Sequence, residues 1–231
     1  MVSTISRGRI VMKRKQFWLW SLTFLPLVIT LVSFIFMPEK VPAHYGFDGH
    51  VTRYGSKYEL LIFPASTILL SLFLFFIRKR EQRKNDLKND KILTVSHFCI
   101  LVLFLIETIY FLTTSLFQIN SLYETSVDFF NLLALILSLF LIIIGNYIPK
   151  CKPNVLIGIR TTWTLKSETV WYKTHRLGGW LSVLAGIILL FINLFILKGE
   201  LSLVSVILTL LSLTSILTFY SYQQYKKETT K

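Results

Sequence analysis

Apolar runs of about twenty residues, the length an α-helix needs to cross a hydrocarbon core of roughly 30 Å, alternate along this chain with short polar stretches. Six such runs stand out, at 16–37, 58–77, 92–117, 127–148, 177–197 and 201–222. Inside lipid every backbone amide needs a partner, and a helix supplies it within one segment. The pattern therefore predicts an all-α integral membrane protein with about six transmembrane helices. Pro26 and Pro64 fall inside runs and are expected to bend their helices, because each removes a backbone donor. Gly178, Ser182 and Gly186 recur every fourth residue, a small-residue stripe that lets another helix approach closely.

Two polar stretches, 38–57 and 149–176, are longer than the roughly 2–8 residues that usually join packed helices, so function is expected there. The first holds Pro38, Pro42, Gly46, Gly49 and Gly55 with His44 and His50, and predicts an ordered extended loop with tight turns at the three glycines. In the second, residues 154–160 look short, apolar and extended. Ser167 followed by Glu168 then has the form of a helix start, with serine as cap and the carboxylate favoured by the helix dipole. A short interfacial helix over 168–176 is expected to feed the fifth span, with Trp171 and His175 sharing one face.

Charge fixes the expected orientation. Cytosolic connections retain Lys and Arg, and the basic-to-acidic counts are five to none in residues 1–15, three to two in 38–57, seven to three in 78–91, and six to one in 149–176. The third connection carries only Glu124 and Asp128, Lys198 and Glu200 cancel in the fifth, and the tail is basic at Lys226, Lys227 and Lys231. Both termini and every even-numbered connection are thus expected in the cytosol, leaving 38–57 outside. The organisation reads as a basic N-terminus 1–15, a helical hairpin 16–77, a basic linker 78–91, a four-helix membrane domain 92–222 and a basic tail 223–231. Residues 1–11 lack apolar periodicity and are expected to be disordered, with Met12 as an alternative start. The first run has no small-residue cleavage site behind it and reads as an anchor.

Composition agrees: 53% of the residues are hydrophobic and 16% charged, where soluble domains carry about 25% charged. The net charge of +13 lies between apolar runs, where anionic membrane lipids satisfy it, and direct nucleic-acid binding is not expected. Cys99 and Cys151 make no disulfide framework. No H-E-x-x-H, G-x-S-x-G, C-x-x-C or glycine-rich phosphate loop occurs, so neither an enzyme nor a cofactor is expected. His44, Asp48 and His50 are the one set with metal-ligand chemistry, but a fourth ligand is missing and a loop held by its own hydrogen bonds is the expectation. Glu107 lies mid-run, where a carboxylate often marks an ion or proton path. His97 shares that run but stands about 15 Å away along a helix, too far for a direct pair.

The residues Gly145-Asn146, Asn154, Gly158-Ile159-Arg160-Thr161, Trp163-Thr164-Leu165, Glu168, Val170-Trp171 and Thr174-His175-Arg176 closely resemble the signature of the SdpI family, bacterial membrane proteins named for immunity to a sporulation-delaying toxin. Met37-Pro38, Val41-Pro42-Ala43-His44-Tyr45, Gly49 and Arg53-Tyr54-Gly55-Ser56-Lys57 look like the short domain of unassigned function often found ahead of it. One departure is Arg160-Thr161-Thr162-Trp163, where family members usually read Arg-Thr-Pro-Trp. The resemblance implies a plasma-membrane protein of a Gram-positive bacterium that protects against a secreted toxin peptide and holds a soluble repressor at the membrane.

A binding module is the leading expectation. Arg160, Trp163, Glu168, Trp171, His175 and Arg176 are expected to meet the cytosolic partner, since Trp and Arg are common interface anchors. Pro42, His44, Gly49 and Arg53 are the corresponding set on the outer loop. The alternative is a small transporter, or an ion- or proton-coupled protein, using Glu107.

Overall fold

The computed structural model describes residues 2–83, 87–123, 125, 127–154 and 157–230. Lys84 and Asp86 of the basic linker, Glu124, Val155 and Leu156 of the expected extended run, and Lys231 lie outside the described residues. Six helices carry the chain: α1 (Val2–Ser33), α2 (Ile62–Arg83), α3 (Leu87–Leu116), α4 (Phe129–Tyr147), α5 (Glu168–Phe195) and α6 (Glu200–Thr229). Each contains a segment long and apolar enough to cross a membrane. The expected all-α membrane architecture is present, with one addition: β1 (Lys40–Tyr45) and β2 (Val51–Ser56) pair as an antiparallel hairpin in the first connection.

Three expectations are corrected. Residues 2–11 were expected to be disordered, yet α1 runs from Val2; extending an existing helix adds a hydrogen bond per residue and needs no tertiary partner. Pro64 does not bend a helix, because it lies in the first turn of α2, where no intrahelical N–H bond is lost. Only Pro26 is interior to its helix. The short helix at 168–176 begins at the expected residue but is continuous with the fifth span, since nothing between Glu168 and Phe195 breaks it.

The chain divides into two compact units, one of residues 1–76 and 97–125, the other of residues 77–96 and 126–231. In the first, Met37, Val41, Leu60 and Leu112 form a buried cluster, packed by Ile29, Phe34 and Phe63. The hairpin turn closes with Gly46 N–H donating to His50 C=O at 2.8 Å. Gly49 has φ +71°, and the Tyr123 ring occupies the space where a Cβ would stand. Gly55 makes no turn: it pairs with Val41 inside the hairpin, and its missing side chain leaves room for the Glu59 carboxylate and Ala43. The stretch 118–122 braces the hairpin, Val51 N–H donating to Asn120 C=O at 2.9 Å and Leu122 N–H to Gly49 C=O at 2.8 Å.

A buried polar relay joins α1, α2 and α3 in the same unit. Thr23 donates to Leu19 C=O at 2.8 Å, Thr23 and Ser71 hydroxyls are 2.7 Å apart, and Ser71 Oγ is 2.9 Å from His97 Nε2. The Thr23 proton is spent on Leu19, so Ser71 donates to Thr23 and His97 Nε2–H donates to Ser71.

In the second unit α4 and α5 approach closely through small residues. A Cβ on Gly145 would stand 2.9 Å from Gly179 C=O, and one on Gly186 2.8 Å from Ser138 C=O. The stripe expected at Gly178, Ser182 and Gly186 is buried throughout. Its first member faces Ile159 and Leu217 rather than α4, and Gly179 takes the place beside Gly145.

At the far end, Asp128 caps α4 through Asn131 N–H at 3.1 Å and also accepts Gly199 N–H at 2.6 Å. The Asn131 amide donates to Asn193 C=O at 2.7 Å and Leu197 C=O at 3.0 Å, satisfying carbonyls at the end of α5. Arg78 and Asp90 form an ion pair at 3.3 Å, the arginine side chain 7% exposed.

Candidate functional site

The 149–176 loop leaves α4 through a 3-10 turn, Ile148–Lys150, with Pro149 where no N–H is required. Two asparagines then fix its course. Asn154 Oδ1 accepts Ile157 N–H at 2.7 Å, and its amide donates to Lys152 C=O at 2.8 Å and Ile157 C=O at 3.1 Å. Asn89 at the start of α3, buried to 1% exposure, accepts Lys152 N–H at 3.0 Å. A buried amide of this kind substitutes for secondary structure along an irregular backbone.

Trp171 and His175 form the inner support. Neither is exposed, and their rings stack with centroids 4.0 Å apart. The Trp171 indole N–H donates to Cys151 C=O at 2.9 Å, and Ile92, Cys151, Tyr147 and Ile157 pack about it. His175 Nδ1 lies 2.8 Å from Trp171 C=O, while Nε2 receives Ile159 N–H at 3.0 Å. A carbonyl only accepts and an amide N–H only donates, so His175 is the neutral tautomer with its proton on Nδ1. Gly158, at φ +108°, passes so close that a Cβ would collide with His175 Nε2 and stand 3.2 Å from the Trp171 ring.

The next turn is closed by threonines. Thr161 N–H donates to Thr164 Oγ1 at 2.9 Å, Thr164 N–H returns to Thr161 Oγ1 at 3.1 Å, and the Thr164 hydroxyl reaches Ile159 C=O at 2.8 Å. Thr161 Oγ1 is 2.9 Å from Ser221 Oγ on α6, and the Trp163 ring packs 5.2 Å from Tyr222. Ser167 caps α5 by accepting Val170 N–H at 3.2 Å, as its position before Glu168 predicts, and its hydroxyl donates to Glu228 at 2.5 Å.

Of the six residues expected to meet a partner, Arg160, Glu168 and Arg176 are exposed and Trp163 is half-buried. Trp171 and His175 are interior; they shape the surface without forming it. On the hairpin, His44 and Arg53 are exposed while Pro42 and Gly49 are buried. Arg53 makes a two-pronged contact with Glu59 at 3.1 and 2.7 Å, which raises its pKa. Burial pushes the Tyr45 phenol up, and its hydroxyl donates to Ile119 C=O at 3.0 Å.

His44 Nδ1 pairs with Thr52 Oγ1 at 2.6 Å, and Asp48 accepts His50 N–H at 3.2 Å. The loop is held by its own hydrogen bonds, and among the described residues no His, Cys, Asp or Glu set is grouped to hold a metal. Glu107 is half-buried on α3 and has no hydrogen-bond or ion-pair partner among the described residues.

Sequence reasoning missed Asn89, counted only within a basic linker, and the Thr161/Thr164 pair, whose i, i+3 spacing is a turn signal that was available.

The geometry of 145–176 is thus a single hydrogen-bonded assembly in which the glycine, asparagine, tryptophan and histidine of the resembled signature each have a defined partner. Residues 150–221 match the SdpI/YfhL protein family. Residues 22–68 match a domain of unknown function, DUF1648, which covers β1 and β2. A curated relative, Immunity protein SdpI of Bacillus subtilis (strain 168), is 29% identical over 204 residues, covering 88% of this chain and 92% of the relative. No solved structure matches. The resemblance read from the signature residues is borne out, and with six helices of spanning length the chain is a multi-pass plasma-membrane protein similar to the SdpI family.

Proposed function

We propose that this chain is a membrane immunity protein that protects its cell against a secreted toxin peptide. The observation that carries the reading is the similarity to Immunity protein SdpI, which covers 88% of this chain and 92% of that relative, a span that takes in both long connections. The braced hairpin supports an outward, toxin-facing role. It is tied by backbone hydrogen bonds to Asn120 and Leu122, and it displays Phe47, 79% exposed, with Tyr54, Arg53 and His44 on a frame set by Pro42 and Gly49. On the cytosolic side expected from the charge pattern, the 149–176 loop offers Arg160, Trp163 and Glu168 to a soluble partner, of which a transcriptional repressor is the specific case. Trp171 and His175 hold that surface in shape.

The test is survival. Expressing the chain in a toxin-sensitive Gram-positive host, and deleting the gene in its own host, should respectively confer and remove resistance to supernatants of toxin-producing siblings. Unchanged survival in both arms overturns the reading. A second reading, ion or proton coupling through Glu107, is favoured by that side chain's half-buried position without a partner among the described residues. It predicts a pH-dependent flux in proteoliposomes that Glu107→Gln abolishes; equal or absent flux in both removes it.

A further inference from the structure

At one end of the α5–α6 pair, two clefts of about 840 and 380 Å3 open on either side of Lys173 and Gln224, which are hydrogen-bonded at 3.3 Å. The larger is lined by Lys173, Lys226, Lys227, Phe219 and Tyr222 among others, the smaller by Lys173, Arg176, Leu177, Trp180, Tyr220 and Gln224. Among the described residues Glu228 is the one acidic residue lining either, and its carboxylate is engaged by the Ser167 hydroxyl. Among the described residues, no carboxylate pairs with Lys173, Arg176, Lys226 or Lys227. Next along α5 come Trp180, 75% exposed, then Leu184, Ile187, Ile188 and Phe191, all exposed and recurring at helical spacing on the Arg176 side.

We infer that this end of the α5–α6 pair is a binding site for an anionic phospholipid. Its phosphodiester sits between Lys173 and Arg176, with Lys226 and Lys227 behind, and an acyl chain follows the stripe from Trp180 to Phe191. Four cations facing one occupied carboxylate repel the terminal ammonium of a zwitterionic lipid and favour a net negative headgroup. The indole of Trp180 marks headgroup depth, where an amphipathic ring is favoured. A soluble anion accounts for the basic clefts alone, whereas an anionic phospholipid places its headgroup in the clefts and its chain on the apolar stripe directly beside them. This inference does not depend on the immunity reading.

The experiment titrates the detergent-solubilised full chain with dioleoyl phosphatidylglycerol, dioleoyl phosphatidylcholine or glycerol phosphate, following bound lipid by native mass spectrometry and the thermal midpoint. Phosphatidylglycerol should bind and raise the midpoint while phosphatidylcholine does not. Lys173→Gln with Arg176→Gln should weaken phosphatidylglycerol binding roughly thirtyfold, each charge near the surface being worth a factor of about five. Lys198→Gln, in the turn between α5 and α6, should leave binding unchanged. Should the double variant lose its helical circular dichroism, Lys226→Gln with Lys227→Gln at the end of α6 replaces it, with weakened binding again expected. Equal binding of the two lipids, or unaltered binding in a folded variant, overturns the proposal. A midpoint shift reproduced by glycerol phosphate alone overturns the lipid as its source.

Discussion

The ring of His175 receives the backbone N–H of Ile159 at 3.0 Å, so a side chain on α5 closes a hydrogen bond that the irregular loop has no strand or helix to supply. Its other nitrogen is held by Trp171 C=O at 2.8 Å, which leaves the ring no freedom to turn. Replacing it with Phe keeps the ring but leaves a half-buried amide without its acceptor, a cost of about 1 kcal/mol. His175→Phe should lower the thermal midpoint and, by loosening the loop backbone, speed limited trypsin cleavage after Arg160 and Lys166, both already exposed. An unchanged digestion pattern would show that the loop does not depend on this bond.

Gly158→Ala acts on the same spot from the other side. Its φ of +108° disfavours any side chain, and the new methyl would collide with His175. The variant should be destabilised by more than the 1–2 kcal/mol of backbone strain alone. Combining it with His175→Phe should cost less than the sum, because both disturb one contact. Additive losses in thermal unfolding would contradict that coupling.

Thr162 is exposed, and its amide makes no internal hydrogen bond among the described residues. The turn is held by Thr161 and Thr164 instead, so this position accommodates the proline usual in the resembled family. Thr162→Pro should be neutral or stabilising by about 0.4–1 kcal/mol, through a less flexible unfolded chain. A clear drop in the thermal midpoint would mean that the backbone here does not fit a proline.

Ser71 stands between Thr23 and His97, taking one hydrogen bond and giving one. Ser71→Ala removes the buried hydroxyl that pairs with both Thr23 and His97 Nε2 and should cost about 1–3 kcal/mol in thermal unfolding. Ser71→Thr, which keeps the hydroxyl, should recover most of the loss. Equal destabilisation by both would point to packing alone.

The distribution of Lys and Arg predicts that Arg53 and Arg160 lie on opposite sides of the bilayer. In a Cys99→Ser background, Arg53→Cys should react with a membrane-impermeant maleimide on intact cells, and Arg160→Cys only after permeabilisation. Cys151, 1% exposed, should stay unlabelled in both. Labelling of both engineered cysteines on intact cells would sink the assigned orientation.

The sequence by itself determined the six spanning helices and the start of α5 behind Ser167, because lipid and helix capping act on each segment through its own residues. It also carried the family resemblance, since the spacing of glycine, asparagine, tryptophan and histidine is written in order along one stretch. Only the tertiary structure decided that Trp171 and His175 face inward while Arg160 and Arg176 face outward, that Asn89 clamps Lys152, and that the first connection is a hairpin braced by 118–122. Those outcomes depend on partners between 16 and 73 residues away, and which atoms meet across such distances is set by packing rather than by local pattern.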